Sequence, residues 1–253
     1  MQETIEERMF LASTFLNGVA IPYTAVSTTL ARYVTNLVVV NDDPVYRVSL
    51  VGSATPIRIG NNFLLACCYH QLKDTELDRV GLLSSDGQVL VTSAGVRHFI
   101  HRSESDFFDL VVFDFTAPCL AHPELQERFF RLRGIAPDAP NINTSFVQVS
   151  GFPSADQGYE LEDRNHLHLV KRKIVCSLAP PPADEALVLL NIDEPLNIDP
   201  DGLSGGSAFT VQQVDGRFNA YFAGMTVRAG REQIYILKSG YIRNVMVDFI
   251  NRN

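Results

Sequence analysis

The sequence has no uninterrupted apolar stretch close to the roughly 18 to 20 residues that a membrane helix takes, which predicts a chain without one. The opening MQETIEERMFLASTFLNGVA carries three Glu before any apolar run and lacks the basic start of a secretion signal, so no leader is predicted. Cysteine is scarce and nowhere spaced C-x-x-C: Cys67 and Cys68 are adjacent, Cys119 and Cys176 scattered. That pattern excludes a disulfide framework and predicts four reduced, mostly buried thiols and a cytoplasmic setting. Basic charge is also short, with 21 Lys plus Arg against 29 Asp plus Glu and a net charge of −8. An acidic surface repels phosphate backbones and anionic lipid, so nucleic acid and membrane are not expected partners.

What is present is a foldable chain of 253 residues, 46% hydrophobic and 20% charged, enough for one large or two modest domains. Thr4 with Glu7 forms a capping box, with Gly18 as a stop, and predicts a short helix before a second helical stretch over 25–37. After Asn41-Asp42-Asp43-Pro44 the pattern changes to strands. PIRIGNNFLLACC turns at Gly60-Asn61-Asn62, and Asp86-Gly87 and Asp215-Gly216 mark two further hairpins. DLVVFDF, SFVQVSGFP, HLHLVKRKIVCSL and ALVLLNI add strand-length runs. A turn-rich passage over 122–143 separates two similar groups of strands, and Ser239 caps a final helix bearing Tyr241, Val245 and Phe249. The expected organisation is an N-terminal helical extension over 1–44, β-domains over 45–121 and 144–238 with 122–143 as linker, and a C-terminal helix over 239–253.

Asp201-Gly202-Leu203-Ser204-Gly205-Gly206-Ser207 is the sharpest local feature, a serine bracketed by glycines ahead of a strand. A serine hydroxyl is a weak nucleophile and needs a base, a group to orient that base, and backbone donors for the oxyanion. Gly202-x-Ser204-x-Gly206 matches an α/β-hydrolase elbow, but there the histidine follows the serine. All six histidines here (His70, His98, His101, His122, His166 and His168) precede Ser204, which excludes that fold.

The order histidine, aspartate, serine is left, and the motifs agree with it. GSATPI from Gly52, leading through NNFLLACC to His70, resembles the strand before the catalytic histidine of chymotrypsin-like serine proteases. SDFFDLVVFDF, with Asp109 ahead of Leu110-Val111-Val112, resembles their acid-bearing strand, while VSGFP and YFAGMTV resemble parts of their second barrel. The resemblance spans about Tyr46 to Asn253. It implies an all-β fold of two six-stranded antiparallel β-barrels and a cofactor-free serine endopeptidase acting on extended polypeptide. His70 would be the base, Asp109 its orienting acid and Ser204 the nucleophile, with the Gly202 and Ser204 amides as oxyanion hole. The strand Thr226-Val227-Arg228-Ala229 would hold the substrate backbone. Ile198 would lie at the base of the first specificity pocket, with Asp199 or Asp201 taking that place on a shifted register. Asp106 and Asp114 compete with Asp109 for the acid role.

Two departures stand out. Cys67-Cys68-Tyr69 replaces the small residues that usually precede the histidine, and Leu203 replaces the aspartate that pairs with a cleaved N-terminus in secreted members. The chain is therefore more like intracellular bacterial trypsin-like members that have no zymogen, with control expected from a regulatory protein partner acting through the N-terminal extension. The competing reading is a catalytically silent double barrel that binds or scaffolds within a larger assembly. His166 and His168, with or without Cys176, are too few for a closed metal site, and Lys171-Arg172-Lys173 reads as solvent-facing charge, so no metal is expected.

Overall fold

The computed structural model describes residues 12–43, 45, 47–73, 75–100, 105–133, 139–160 and 166–252. The chain opens with a hairpin, β1 (Ser13–Leu16) and β2 (Val19–Pro22), then a helix, α1 (Tyr23–Leu30), and β3 (Thr35–Val40). The first group of strands continues with β4 (Val48–Ile59), β5 (Asn62–Cys68), β6 (Val80–Leu83), β7 (Leu90–Thr92), β8 (Gly95–His98) and β9 (Leu110–Asp114). They pair antiparallel in the order β7-β6-β3-β4-β5-β9-β8 and curl into a half-barrel. A six-residue helix, α2 (Thr116–Ala121), and a 3-10 turn over Pro123–Arg128 lead to β10 (Phe130–Arg131), which lies parallel to β4.

The second group begins with β11 (Thr144–Gly151) and a separate two-stranded ribbon, β12 (Gln157–Glu160) and β13 (His166–Leu169). β14 (Arg172–Leu178), β15 (Leu187–Ile192), β16 (Ser207–Val214), β17 (Arg217–Ala229) and β18 (Gln233–Lys238) complete it, followed by α3 (Ser239–Arg252). The order β16-β11-β14-β15-β18-β17 is closed by β16–β17 pairing into a six-stranded barrel, so no ladder edge is left open between those strands. The fold is chymotrypsin-like, mostly β with few helices. The first half is a curled open sheet where a second closed barrel was expected, because β8 finds no further partner to complete a circuit among the described residues.

FLLACC and LVVF are continuously apolar because both faces of β5 and β9 are buried. Phe63, Leu65, Cys67, Val111 and Phe113 point into the first half's own core. Leu64, Ala66, Cys68, Leu110 and Val112 point the other way, into a larger cluster shared with Phe209, Phe222, Met225 and Met246. That shared cluster is the seam between the halves. α3 covers it with Ile242, Met246 and Phe249; of the expected face only Phe249 is buried, Tyr241 and Val245 lying one position off it and only partly covered.

The N-terminal expectation needs correction where it can be compared. Ser13–Leu16 is a strand, with Thr14 and Leu16 buried in alternation, and Asn17-Gly18 takes positive φ (52° and 82°) as a hairpin turn, so Gly18 is a turn glycine and not a helix stop. β1 lies parallel to β17. The helix expected over 25–37 ends at Leu30, because the β-branched run through Val38, Val39 and Val40 is taken into the first sheet between β4 and β6. The capping box at Thr4 and Glu7 falls outside the described residues.

Candidate active site

β5 and β9 are antiparallel with Cys68 opposite Leu110, so the turn that leaves β5 and the turn that enters β9 meet at one edge of the sheet. His70 lies in the first, a 3-10 turn over Tyr69–Leu72, and Asp109 ends the second, over Asp106–Asp109. The His70 amide donates to Asp109 Oδ1 at 3.0 Å, and His70 Nδ1 lies 2.5 Å from Asp109 Oδ2. With Nδ1 donating to the carboxylate, Nε2 carries the lone pair and is the ring's basic position. The two competing acids are occupied elsewhere. Asp114 Oδ1 accepts from the Thr116 amide at 2.8 Å, and Asp106 Oδ2 accepts from Arg228 Nε at 2.6 Å.

Ser204 sits in a loop shaped by glycines in the left-handed region, Gly202 at φ 87° and Gly205 at φ 83°. A Cβ on Gly205 would lie 2.0 Å from the Ser53 carbonyl oxygen, so only glycine fits between the loop and β4. Leu203 is fully buried in the barrel core, an environment that suits an apolar residue at this position. The Leu203, Gly205 and Gly206 amides donate to the Pro200, Thr226 and Leu203 carbonyls at 3.1, 2.8 and 2.9 Å. The amides of Gly202 and Ser204, the expected oxyanion donors, donate to no acceptor among the described residues. Ser204 Oγ itself donates to the Val227 carbonyl at 3.3 Å and makes no hydrogen bond to the His70 ring.

The sequence reading missed the first-half residues that hold this loop. Ser53 Oγ donates to the Gly202 carbonyl at 2.7 Å, Thr55 Oγ1 to the Gly205 carbonyl at 2.7 Å, and Gln71 Nε2 to the Ser204 carbonyl at 2.9 Å. The available signal was Ser53 and Thr55 themselves, two hydroxyls alternating along a buried strand, where polar groups need partners.

Along β17, Thr226 exchanges hydrogen bonds with the loop, while the register shifts between Thr226 and Arg228 and leaves the Val227 carbonyl facing Ser204. The Val227 side chain is buried, Ala229 is half-buried and Arg228 is exposed. Arg228 also lies over the Tyr235 ring, 4.4 Å from its centroid, so its ion pair with Asp106 ties the second half to the turn that carries Asp109. Ser105 Oγ reinforces that tie by donating to Asp184 at 2.7 Å. Of the residues proposed for the specificity pocket, Ile198 is half-buried and Asp199 and Asp201 are exposed.

Cys68 Sγ, His70 and Asp109 offer three metal-ligand atoms within 4.8 Å of one another. The donor set does not fit an ion as it stands. Two ligands on one tetrahedral ion sit about 3.3 Å apart, farther than the 2.5 Å His70–Asp109 contact. Burial, with Asp109 adding to it, pushes the Cys68 thiol well up, away from the thiolate a metal or a nucleophile needs. Cys67 is likewise buried and raised. His168 is exposed, and within the basic run Arg172 pairs with Asp156 at 2.6 Å while Lys171 Nζ donates to the Ala31 carbonyl.

No family model matches the sequence, and no curated protein sequence matches it. Solved structures do. Human heparin binding protein aligns over 88% of this chain and 93% of its own, with a TM-score of 0.56 at 10% identity. The scabies mite inactivated protease paralogue S-D1 aligns over 87% of this chain and 92% of its own, with a TM-score of 0.53 at 10% identity. At that identity the likeness establishes the fold alone.

Proposed function

We propose that the protein is a serine endopeptidase in which Ser204 attacks the scissile carbonyl of an extended polypeptide. The observation that carries the reading is the double contact of Asp109 with His70, through the ring and through the backbone, at the same seam as the glycine-shaped Ser204 loop. As Oγ swings from the Val227 carbonyl toward His70 Nε2, the ring takes the hydroxyl proton while Oγ bonds to the carbonyl carbon. Asp109 stabilises the imidazolium. The tetrahedral oxyanion accepts from the Gly202 and Ser204 amides, each donor being worth about 3 to 4 kcal/mol in the transition state. His70 returns its proton to the leaving amine, and water repeats the sequence to release the acyl group. Of the expected strand Thr226 is already bonded to the serine loop through its amide and carbonyl, so Val227 to Ala229 are the proposed partner for the substrate backbone, with Ile198 the proposed pocket floor, favouring an apolar or small side chain.

The second reading is a silent double barrel serving as a binding module. It is favoured by the Ser204 hydroxyl bonding to Val227 and not to His70, and by a structural neighbour that is itself described as an inactivated protease paralogue. A cytoplasmic setting and a regulatory protein partner at the N-terminal segment belong to the same proposal.

A fluorophosphonate probe separates the readings. Endopeptidase activity predicts labelling of Ser204 that disappears in Ser204→Ala and slows by at least about a hundredfold in His70→Ala, the scale of general-base catalysis. An unlabelled hydroxyl, with and without candidate partners, overturns this reading in favour of the binding module.

A further inference from the structure

Every peptide group from Asp201 to Gly206 is held. The Asp201 carbonyl accepts from the Ser154 amide at 2.7 Å and the Leu203 carbonyl from the Gly206 amide at 2.9 Å. The three remaining carbonyls, of Gly202, Ser204 and Gly205, accept from Ser53, Gln71 and Thr55, all on the first half. The amides on the far side of those three peptides also donate, so each plane is fixed at both ends. Only the Gly202 and Ser204 N–H groups are left over, and their planes are oriented by carbonyls already bound.

Gln71 occupies the centre of this network. Its Nε2 donates to the Ser204 and Ser53 carbonyls at 2.9 and 3.1 Å, while its Oε1 accepts from the Cys68 amide at 2.9 Å, two residues before His70. A flipped amide would set Oε1 against carbonyl oxygens and NH₂ against an N–H, so the orientation is unambiguous. The fit is close on both sides: a Cβ on Gly52 would lie 2.7 Å from Nε2, and one on Gly205 would lie 3.0 Å from Oε1. One side chain therefore joins the histidine turn to the main chain of the serine.

We propose that Gln71 is a positioning residue that, with Ser53 and Thr55, presets the 201–206 loop in its oxyanion-binding shape without a processed N-terminus or an activating partner. The inference rests on reading Ser204 as the nucleophile. A partner, where there is one, then acts on the Ser204 rotamer or on access to the cleft.

Amide exchange measured by NMR on the full chain tests it alongside fluorophosphonate kinetics. In Gln71→Met the Gly205 and Gly206 amides should exchange at least about tenfold faster, the scale of a lost buried hydrogen bond. The maximal labelling rate should fall by a similar factor with the half-saturating probe concentration unchanged. Gln71→Glu should match Gln71→Met at pH high enough to ionise the carboxyl and regain protection as pH falls and the carboxyl, held above the ordinary carboxylate range by the facing carbonyls, becomes a donor again. Should Gln71→Met fail to fold, Thr55→Val, which removes one donor at nearly constant volume, is read by the same exchange measurement. Unchanged exchange in these variants overturns the clamp even if Ser204 labels normally. A loop that loosens in a chain that never labels retains the clamp and removes the protease reading.

Discussion

The two halves bury their strands differently. The second closes on itself and has a core of its own, with Val147, Val149, Leu190, Ile234 and Ile236 inside the circuit. The first is an open curl whose β5 and β9 turn one face inward and lend the other to the seam. His70 and Asp109 stand at the edge of those two strands, so the proposed base and acid ride on the less self-contained half, while the serine loop is built on the closed one. The difference teaches that the site depends on the seam: the side chains that hold the serine loop's carbonyls, Ser53, Thr55 and Gln71, all reach across it.

The largest effect expected from this division is on chemistry with little on folding. Asp109→Asn keeps the volume but presents an amide to His70 Nδ1, which favours the tautomer with the proton on Nε2, where the ring can no longer take one from Ser204. Labelling should slow by about 10⁴, while the melting temperature changes little because the carboxylate is partly solvated. A variant that labels normally would move the acid elsewhere, and one that unfolds would show that the contact holds the open sheet together.

Much of this architecture was legible from local signals. The hairpins at Gly60-Asn61 and Asp215-Gly216 follow from turn chemistry, and the paired faces of FLLACC and LVVF from unbroken apolar runs. The His70–Asp109 pairing was within reach because both residues flank strands that were recognised. The N-terminal hairpin was legible only in part. Its turn, Asn17-Gly18 between Ser13–Leu16 and Val19–Pro22, is a local hairpin signal that the helix stop expected at Gly18 misreads, whereas the docking of that hairpin on β17, about two hundred residues away, leaves no local mark. Gln71 was missed for a related reason: a glutamine after a histidine is unremarkable until the loop it reaches, 133 positions on, is folded against it.

A smaller effect should appear at alkaline pH. Burial pushes the Cys119 and Cys176 thiols up to about 12 from an ordinary 9.0, with Asp114 and Asp193 adding to the shifts. An acid whose folded pKa is raised contributes stability that is complete below the unfolded value and lost as pH climbs toward the folded one. The melting temperature should therefore decline between pH 9.0 and about 12. Cys119 lies in the first half's core and Cys176 in the barrel's, so alanine at each reports on a different half. If the shared seam makes the halves melt as one, either substitution flattens the same single transition. Two transitions, each flattened by only one substitution, would mean that the open sheet unfolds independently.

The smallest effect concerns the tie across the front of the seam. Asp106→Ala removes the partner of Arg228, whose side chain is 58% exposed against 23% for Asp106. Solvent screens a pair of this kind, so the stability cost should be under about 1 kcal/mol. Its consequence for the cleft is separable from that cost. Arg228 follows the carbonyl that accepts from Ser204, and the turn bearing Asp106 ends in Asp109. Freed from Asp106, the guanidinium keeps its place over Tyr235 but no longer fastens the second half to the acid's turn. If the pair narrows the approach to Ser204, Asp106→Ala raises the labelling rate of a bulky peptidyl fluorophosphonate more than that of a small one. Equal changes for both probes would mean that the ion pair braces the two halves without gating the cleft between them.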